Sequence, residues 1–316
     1  MTTSRRRRCL LWRYLRLPDR GSPNHGVIST RKLLVIDGAN VLYRAFFAIA
    51  SLNAPDGHPT NALFGFIRIL RQLRQQWMPT HWVVVFDGGL PARRTDILPS
   101  YKAQRPHMPD DLRRQLEPVN DYLARACIAS VRMEAQEADD VIATVAVHAG
   151  EDCEVLVATS DKDAFQLISP AISVVPPVQT GQRMGRQEVF DKCGAYPEQI
   201  ADWLALTGDS VDNIPGIPGL GPKTAAKLLA EFGTLANIMT RLDAVKPDRI
   251  REALRANIDV LPRNAELVRL DRELPVKIDW EAWVVKPEQF DRLSSFYERW
   301  GFKSMARDLR EPELLL

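Results

Sequence analysis

The sequence lacks the features that mark a zinc module, a disulfide-bonded domain or a membrane protein. Its four cysteines, Cys9, Cys127, Cys153 and Cys193, are scattered and form no CxxC pair, so neither a zinc site nor a disulfide framework is expected. This cysteine usage predicts a reducing cytoplasm. No apolar run reaches the roughly 18 residues of a transmembrane helix, and no internal repeat is found. We therefore expect no membrane partner.

Excess positive charge is concentrated at one end of the chain. Residues 1–30 carry a net charge of +6, whereas residues 31–316 carry −4. The apolar patch Cys9–Trp12 is short and flanked by arginines, which argues against a signal peptide. We expect a basic, disordered extension over residues 1–30, with nucleic-acid binding by its arginines as the alternative. The 316 residues leave room for about two domains.

Five acids bracket a predicted helix and strand between residues 135 and 163. They are Glu137, Asp139, Asp140, Asp161 and Asp163. An apolar stripe within residues 141–146 is typical of a helix packed on a sheet, and the β-branched run 154–159 indicates a buried strand. Acids in the first turn of a helix can simply complement its dipole. We interpret the five acids together as half of a site for Mg²⁺ or Mn²⁺, which prefer oxygen ligands and would relieve the repulsion between carboxylates; the dipole role is the alternative.

Two earlier apolar runs also end in an acid. Residues 33–36 precede Asp37, residues 82–86 precede Asp87, and a helix begun by Thr60 or Asn61 is predicted between the two strands. Alternating strands and helices predict a mainly parallel sheet with helices on both faces. Because ligands collect beyond the carboxyl ends of such strands, we expect the acids to converge at one edge.

Residues 88–115 form a basic segment directly after Asp87. The segment contains arginines, Lys102 and Tyr101, which suit a phosphate backbone and an unstacked base. The alternative is a surface helix with a solvated charged face. The position of the segment next to an acid-bearing strand end favours nucleic-acid binding.

A glycine-rich turn follows two further acids, Asp209 and Asp212. Residues 216–224 superficially match a P-loop, but Pro222 separates the last glycine from Lys223 and no apolar strand leads into the turn. The pattern predicts two helices joined by a glycine hairpin, with Pro222 in the first helical position. Free amides and lysines there would hold a duplex phosphate without reading sequence. The alternative is an ordinary helical hairpin.

Taken together, these motifs resemble the 5′ nuclease family, in particular the 5′-3′ exonuclease domain of bacterial DNA polymerase I. The resemblance runs from about Lys32 to about Leu309. Its acidic motifs are residues 34–38, 84–87, 137–140, 159–163 and 208–213. Residues 99–112 resemble the helical arch of the family, and the glycine turn resembles its helix-hairpin-helix. The resemblance implies a PIN-like α/β nuclease core over 31–200, with the arch at about 88–115, and a helical DNA-binding region over 201–316.

The resemblance also implies roles for individual residues. One Mg²⁺ or Mn²⁺ would be held by Asp37, Asp87, Glu137 and Asp139. The other would be held by Asp161, Asp163 and Asp212, with Asp140 and Asp209 in support. Arg44 and Lys102 would stabilise the reacting phosphate, and a K⁺ is allowed at the glycine hairpin. The implied DNA contacts are Tyr43, Arg94, Tyr101, Arg105, Gly216, Gly219, Gly221, Lys223, Thr224 and Lys227.

The expected function is metal-dependent hydrolysis of DNA at a 5′ flap, nick or 5′ end, including RNA-primed ends. Without the nine site acids, residues 31–316 carry +5, which favours a polyanionic partner. We expect a monomer acting alone or beside a separately encoded polymerase. The alternatives are a ribonuclease of related fold, a haloacid-dehalogenase-like phosphatase and a non-catalytic DNA binder. The phosphatase needs a second Asp where this chain has Ala39.

Overall fold

The structure is a computed structural model that describes residues 31–178 and 181–310. The predicted basic extension, residues 1–30, lies outside the described residues. The strands are β1 (Lys32–Asp37), β2 (His81–Phe86), β3 (Ala129–Arg132), β4 (Glu154–Ala158), β5 (Ile172–Val175), β6 (Gly208–Asp209) and β7 (Ile214–Pro215). Short 3₁₀ helices cover Asp163–Leu167, Pro197–Gln199 and Leu242–Ala244.

The α-helices lie between the strands and fill the second half of the chain. The first seven are α1 (Gly38–Ala48), α2 (Asn61–Trp77), α3 (Ala92–Ile97), α4 (Asp110–Arg113), α5 (Leu116–Arg125), α6 (Ala138–Gly150) and α7 (Arg186–Cys193). The others are α8 (Ile200–Thr207), α9 (Pro222–Phe232), α10 (Leu235–Thr240), α11 (Asp248–Ala256), α12 (Val260–Val268), α13 (Phe290–Arg299) and α14 (Lys303–Arg310). None of the helices in the described ranges has the length and apolar character needed to cross a membrane.

The first five strands form one parallel sheet in the order β3-β2-β1-β4-β5. The predicted α/β class with a mainly parallel sheet is confirmed. The chain leaves β1 towards β2 on one side and later adds β4 on the other side. This reversal of strand order opens a crevice beyond the carboxyl ends of β1 and β4, where ligands of such sheets bind.

Side chains of β1 alternate between two hydrophobic cores. Leu33 and Val35 belong to the core that also contains the apolar face of α6, whereas Leu34 and Ile36 belong to the core formed with α1 and α2. Because both faces are covered, β1 is apolar along most of its length, as a central parallel strand is. The first core continues into α8, α9 and α12, so the later helices share it with the sheet.

The predicted α2 starts where the sequence places it. Its stripe of Leu63, Ile67, Leu70 and Leu73 is buried. Thr60 occupies the N-cap, but its hydroxyl donates to the Leu52 carbonyl at 3.1 Å and makes no side-chain cap bond. The Thr60 hydroxyl therefore bonds to the Leu52 carbonyl in place of the expected N-cap hydrogen bond.

The segment expected to form the helical arch, residues 88–115, is only partly helical. The structure has two short helices, α3 and α4, joined by turns between residues 98 and 109. Pro91, Pro99, Pro106 and Pro109 punctuate the segment, and proline interrupts helical hydrogen bonding. Within the segment, the side chains of Arg94, Tyr101 and Lys102 are buried.

Candidate functional site

Asp37 lies at the end of β1, in the crevice beside β4. Its Oδ1 accepts a hydrogen bond from the Asn40 amide at 3.0 Å and so caps α1, while its Oδ2 accepts from the Thr159 hydroxyl at 2.8 Å. Burial raises the pKa of Asp37 to about 6, and the charges of Asp87 and Asp161 act in the same direction. Two hydrogen bonds thus position the Asp37 carboxylate, but both come from uncharged donors.

The end of β2 meets the start of α6. Asp87 accepts from the Ala138 amide at 3.0 Å, which places its carboxylate at the helix N-terminus. Glu137 is the N-cap residue of α6, and Asp139 lies in its first turn. Burial raises the pKa of Asp139 well above its ordinary value, and the charges of Asp37 and Asp161 raise it further.

Asp161 and Asp163 follow β4 in a tight turn. The Asp163 amide donates to Asp161 Oδ1 at 3.0 Å. Burial raises the pKa of Asp163 strongly, with further contributions from Asp161 and Asp209. The Oδ1 atom of Asp163 is buried and has no hydrogen-bond partner. A buried carboxylate oxygen without a donor is an unsatisfied group that a bound cation would satisfy.

Asp209 and Asp212 are carried by the β6–β7 hairpin. A Cβ atom on Gly208 would lie 2.2 Å from the Gly216 nitrogen, so the two strands can approach only because both residues are glycine. DNA contact by Gly216 stays a prediction, and in this structure its position allows this backbone packing. Asp209 pairs with Lys162 at 3.3 Å.

Lys102 and Tyr101 lie inside the group of acids. Lys102 Nζ donates to Glu137 and is 3.5 Å from Asp212 Oδ2. Tyr101 Oη donates towards both Glu137 and Asp212, at 3.1 and 3.2 Å. Although burial opposes it, the charges of Glu137 and Asp212 raise the pKa of Lys102. Arg105 adds a 2.9 Å contact to Asp212.

Two residues expected to guide a DNA strand are buried. Tyr101 is 3% exposed and Arg94 is 2% exposed. Arg94 pairs with Glu137 and Asp140, and both carboxylate oxygens of Asp140 accept from its guanidinium. DNA contact by Arg94 and Tyr101 stays a prediction, and in this structure both side chains contact acids. With both oxygens engaged, Asp140 supports its neighbours and is not placed as a ligand.

The remaining acids share one cleft through the contacts described above. We call this group the acidic cleft; its members are Asp37, Asp87, Glu137, Asp139, Asp161, Asp163, Asp209 and Asp212. Within the described ranges, no three acidic, histidine or cysteine side chains close around one point as the ligands of one ion do. The donor chemistry and the unsatisfied Asp163 oxygen fit a hard divalent cation. Lys102, Arg105 and Arg94 at present hold Glu137 and Asp212.

Arg44 lies beside this cleft on α1. Its Nη2 donates to the Ser160 hydroxyl at 2.8 Å, and that hydroxyl donates to Asn40 Oδ1 at 2.8 Å. Arg44 is exposed, and the neighbouring Tyr43 is half-buried. The exposed guanidinium is thus held at the end of β4, where it can contact a phosphate.

Sequence reasoning missed the polar residues that orient these groups. They are Asn40, Thr159 and Ser160. Each had a detectable signal, because Thr159 and Ser160 follow a buried strand at its carboxyl end and Asn40 lies three residues after Asp37. These short polar side chains orient Asp37 and Arg44 through hydrogen bonds.

The glycine turn leads into α9 as predicted. Pro222 occupies the first turn, and Ala225, Leu228, Leu229 and Phe232 form the buried stripe. Gly219, Gly221, Lys223 and Lys227 are exposed, and Thr224 is half-buried. Gly219 has a φ of 75°, a backbone conformation that favours glycine. The turn therefore presents open backbone and two lysines on one surface.

Family models and relatives match most of the chain. The model for the N-terminal resolvase-like domain of 5′-3′ exonuclease matches residues 32–194, and the model for its C-terminal SAM fold matches residues 195–291. The 5′-3′ exonuclease of Aquifex aeolicus is 35% identical over 280 residues, which is 88% of this chain and 95% of that protein. DNA polymerase I of Pseudomonas aeruginosa is 39% identical over 292 residues, covering 89% of this chain. The chain spans about a third of the length of the polymerase relatives, 33% for Bacillus caldotenax.

Solved structures share the fold. The T5 D15 protein co-crystallised with metal ions has a TM-score of 0.65 at 20% identity, covering 89% of this chain and 99% of that one. The catalytic core of Rad2 in complex with DNA has a TM-score of 0.62 at 19% identity, covering 90% and 93%. At these identities the likeness concerns the fold alone.

Proposed function

Because the chain belongs to the 5′-3′ exonuclease family, we propose that it hydrolyses DNA phosphodiesters at 5′ flaps, nicks or 5′ ends. The observation that carries this proposal is the acidic cleft, in which acids from five separate parts of the chain meet with too little positive charge to balance them. The T5 protein of the same fold was crystallised with metal ions, and a related T5 complex contains DNA and metal ions. Both support a divalent metal ion and DNA as partners here.

The proposed ligands form two sets, as the family resemblance implies. Asp37, Asp87, Glu137 and Asp139 are assigned to one ion, and Asp161, Asp163 and Asp212 to a second, with Mg²⁺ or Mn²⁺ as the metals. Bound divalent ions would supply a Lewis acid and an activated water. A K⁺ at the glycine hairpin, a monomeric state, a cytoplasmic setting and a separately encoded polymerase partner belong to the same proposal.

Residues of the chain supply positioning and positive charge for the reaction. Arg44, held by Ser160, can contact a phosphate oxygen next to the cut. Lys102 can add positive charge where negative charge gathers in the transition state, once it leaves Glu137. Lys223 and Lys227 at the start of α9 can hold the duplex by its backbone.

The test is a labelled 5′-flap duplex incubated with Mg²⁺ and, separately, with EDTA. We expect defined cleavage products near the flap junction with Mg²⁺ and none with EDTA. A ribonuclease would cleave only an RNA flap, a phosphatase would release phosphate without shortening the strand, and a non-catalytic binder would leave the substrate intact. Product lengths also separate exonuclease from endonuclease action.

Charge reversal at the glycine turn tests the duplex-binding part of the proposal. Lys223→Glu should weaken binding of a flap duplex in Ca²⁺ and lower the slope of log affinity against log salt by about 1, because one phosphate contact is lost. Lys303→Glu on α14 changes the net charge equally and is the control. Titration by fluorescence anisotropy at several salt concentrations measures both. Equal slopes in the two variants would remove the turn from the interface.

Lys102 is expected to affect metal binding and turnover in opposite directions. In Lys102→Met the cation that engages Glu137 and Asp212 is gone, so Mn²⁺ no longer has to displace it and should bind roughly tenfold more tightly. Cleavage should slow about a hundredfold, because the positive charge near the phosphate is lost. Mn²⁺ titration and single-turnover rates measure the two effects, with Arg113→Met in the same segment as control. Weaker Mn²⁺ binding in the variant would show that Lys102 does not compete with metal.

A further inference from the structure

Arg94 is held in place by hydrogen bonds from all three of its guanidinium nitrogens. Its Nε donates to the Leu267 carbonyl at 3.1 Å, and Nη2 donates to the Arg269 carbonyl at 3.2 Å. Both terminal nitrogens donate to Asp140, at 2.6 and 2.8 Å, and Nη1 also donates to Glu137. A guanidinium has five N–H donors in a fixed fork, and this set of partners engages them. Arg94 therefore has no donor left for a strand.

We propose that Arg94 and Asp140 form a positioning pair that orients Glu137 for metal binding. The proposal rests on the proposed function in one respect, the assignment of Glu137 as a metal ligand. Arg94 grips Asp140 through a two-pronged contact, the geometry in which arginine is most strictly oriented. Its Nη1 then reaches Glu137 from a fixed direction. Asp140 thus fixes the orientation of the Arg94 guanidinium, and Arg94 in turn orients the Glu137 carboxylate.

The pair also links Glu137 to the end of α12 and the residues directly after it. The Asp271 amide donates to Asp140 Oδ1 at 2.8 Å, and the two carbonyls that Arg94 contacts belong to Leu267 and Arg269. Residues 267–271 run from the last two residues of α12 into the stretch that leads to α13. The orientation of Glu137, a proposed metal ligand, therefore depends on the packing of residues 267–271.

Gln166 provides a matched structural comparison. Its side chain donates to the Val268 carbonyl at 3.1 Å and accepts from the Leu270 amide at 3.1 Å. It is buried like Arg94 and holds the same segment. Among its hydrogen bonds, none reaches Glu137 or Asp140 in the described part of the chain. Loss of Gln166 should therefore loosen the segment without releasing the ligand.

The variant of Arg94 must keep the positive charge, so that a change in metal affinity reports geometry and not charge. Removing the positive charge of Arg94 would by itself favour a nearby cation and hide a loss of geometry. Arg94→Lys keeps the charge but replaces the planar fork by a point charge on a flexible stem. A weaker metal affinity in Arg94→Lys would consequently report the lost orientation of Glu137. Outer-shell partners of metal ligands commonly contribute ten- to a hundredfold to affinity.

The experiment compares Mn²⁺ affinity and thermal stability in the full chain. Free Mn²⁺ measured by electron paramagnetic resonance gives the affinity without any substrate or turnover. We expect Arg94→Lys to lower Mn²⁺ affinity roughly tenfold or more, with Asp140→Asn acting in the same direction as a milder second variant. Gln166→Ala should lower the melting temperature but leave Mn²⁺ affinity within about twofold of the unmodified protein, since the Gln166 side chain hydrogen-bonds to residues 268 and 270 and to no proposed ligand.

A double variant tests whether the effect passes through Glu137. In a Glu137→Gln background, Arg94→Lys should cause little further loss of Mn²⁺ affinity, because residues that act through one contact are not additive. Unchanged Mn²⁺ affinity in Arg94→Lys and Asp140→Asn, or equal losses in Gln166→Ala, would overturn the proposal. Mn²⁺ binding with these differences but without flap cleavage would refute the proposed function and leave the positioning pair standing.

Discussion

Asp163→Asn is expected to slow flap cleavage by about three orders of magnitude while leaving DNA binding in Ca²⁺ measurable. The substitution keeps the shape of the side chain but removes the charge of a carboxylate whose Oδ1 is buried and unsatisfied. Losing several kcal/mol of transition-state stabilisation by a metal corresponds to a rate loss of this size. Single-turnover kinetics with a saturating flap substrate in Mg²⁺ measure the effect. Asp139→Asn, in the first turn of α6, should behave in the same way.

The control for this prediction is an acid on the surface of α7. Asp191 is exposed and accepts a hydrogen bond from Gln187 at 2.8 Å. Asp191→Asn changes the net charge as Asp163→Asn does, and its cleavage rate should stay within about twofold because it belongs to no proposed ligand set. Turnover in Asp163→Asn comparable to that of Asp191→Asn would refute the ligand assignment of Asp163.

The strand-end acids, the stripe of α9 and the fold class could be predicted because each follows from a short-range sequence pattern. Asp37 and Asp161 could be assigned to one edge because each follows an apolar run, and parallel strands end at the same side of a sheet. The stripe of α9 and Pro222 in its first turn followed from helical spacing. The fold class was predicted for the same reason, since strand and helix alternation is itself a local pattern.

The roles of Arg94 and Gly216 could not be predicted in that way. Arg94 belongs to a basic run, and its burial depends on the carbonyl of Leu267, 173 residues away in sequence. Gly216 looked like part of a phosphate-binding turn, but the decisive fact is the approach of its backbone to Thr207 and Gly208. Both outcomes arise from tertiary contacts that override the local pattern.

The acidic cleft also determines how the stability of the metal-free protein should depend on pH. Burial raises the pKa of Asp37 from its ordinary 3.8 to about 6. The folded state therefore binds a proton more tightly than the unfolded state, so the free energy of unfolding falls as pH rises from about 4 through about 6. For Asp37 alone the loss is about 3 kcal/mol as an upper limit. The raised pKa values of Asp139 and Asp163 act in the same direction.

In EDTA, the melting temperature at pH 8 should consequently lie below that at pH 5 by roughly 4 °C. Saturating Mg²⁺ should remove this difference, because a bound cation stabilises the charged carboxylates. Differential scanning calorimetry with and without metal measures both effects. A metal-free melting temperature that is lower at pH 5 than at pH 8 would contradict the prediction.

Asp139→Asn connects stability and activity at the same residue. At pH 8 in EDTA this variant should melt at a higher temperature than the unmodified protein, because a buried charge and its repulsion with Asp37 and Asp161 are removed. It should gain less stability from Mg²⁺, because one proposed ligand is missing. A functional carboxylate thus destabilises the metal-free fold, and its removal should raise stability while abolishing cleavage. A lower metal-free melting temperature in Asp139→Asn would mean that the side chain has a structural role.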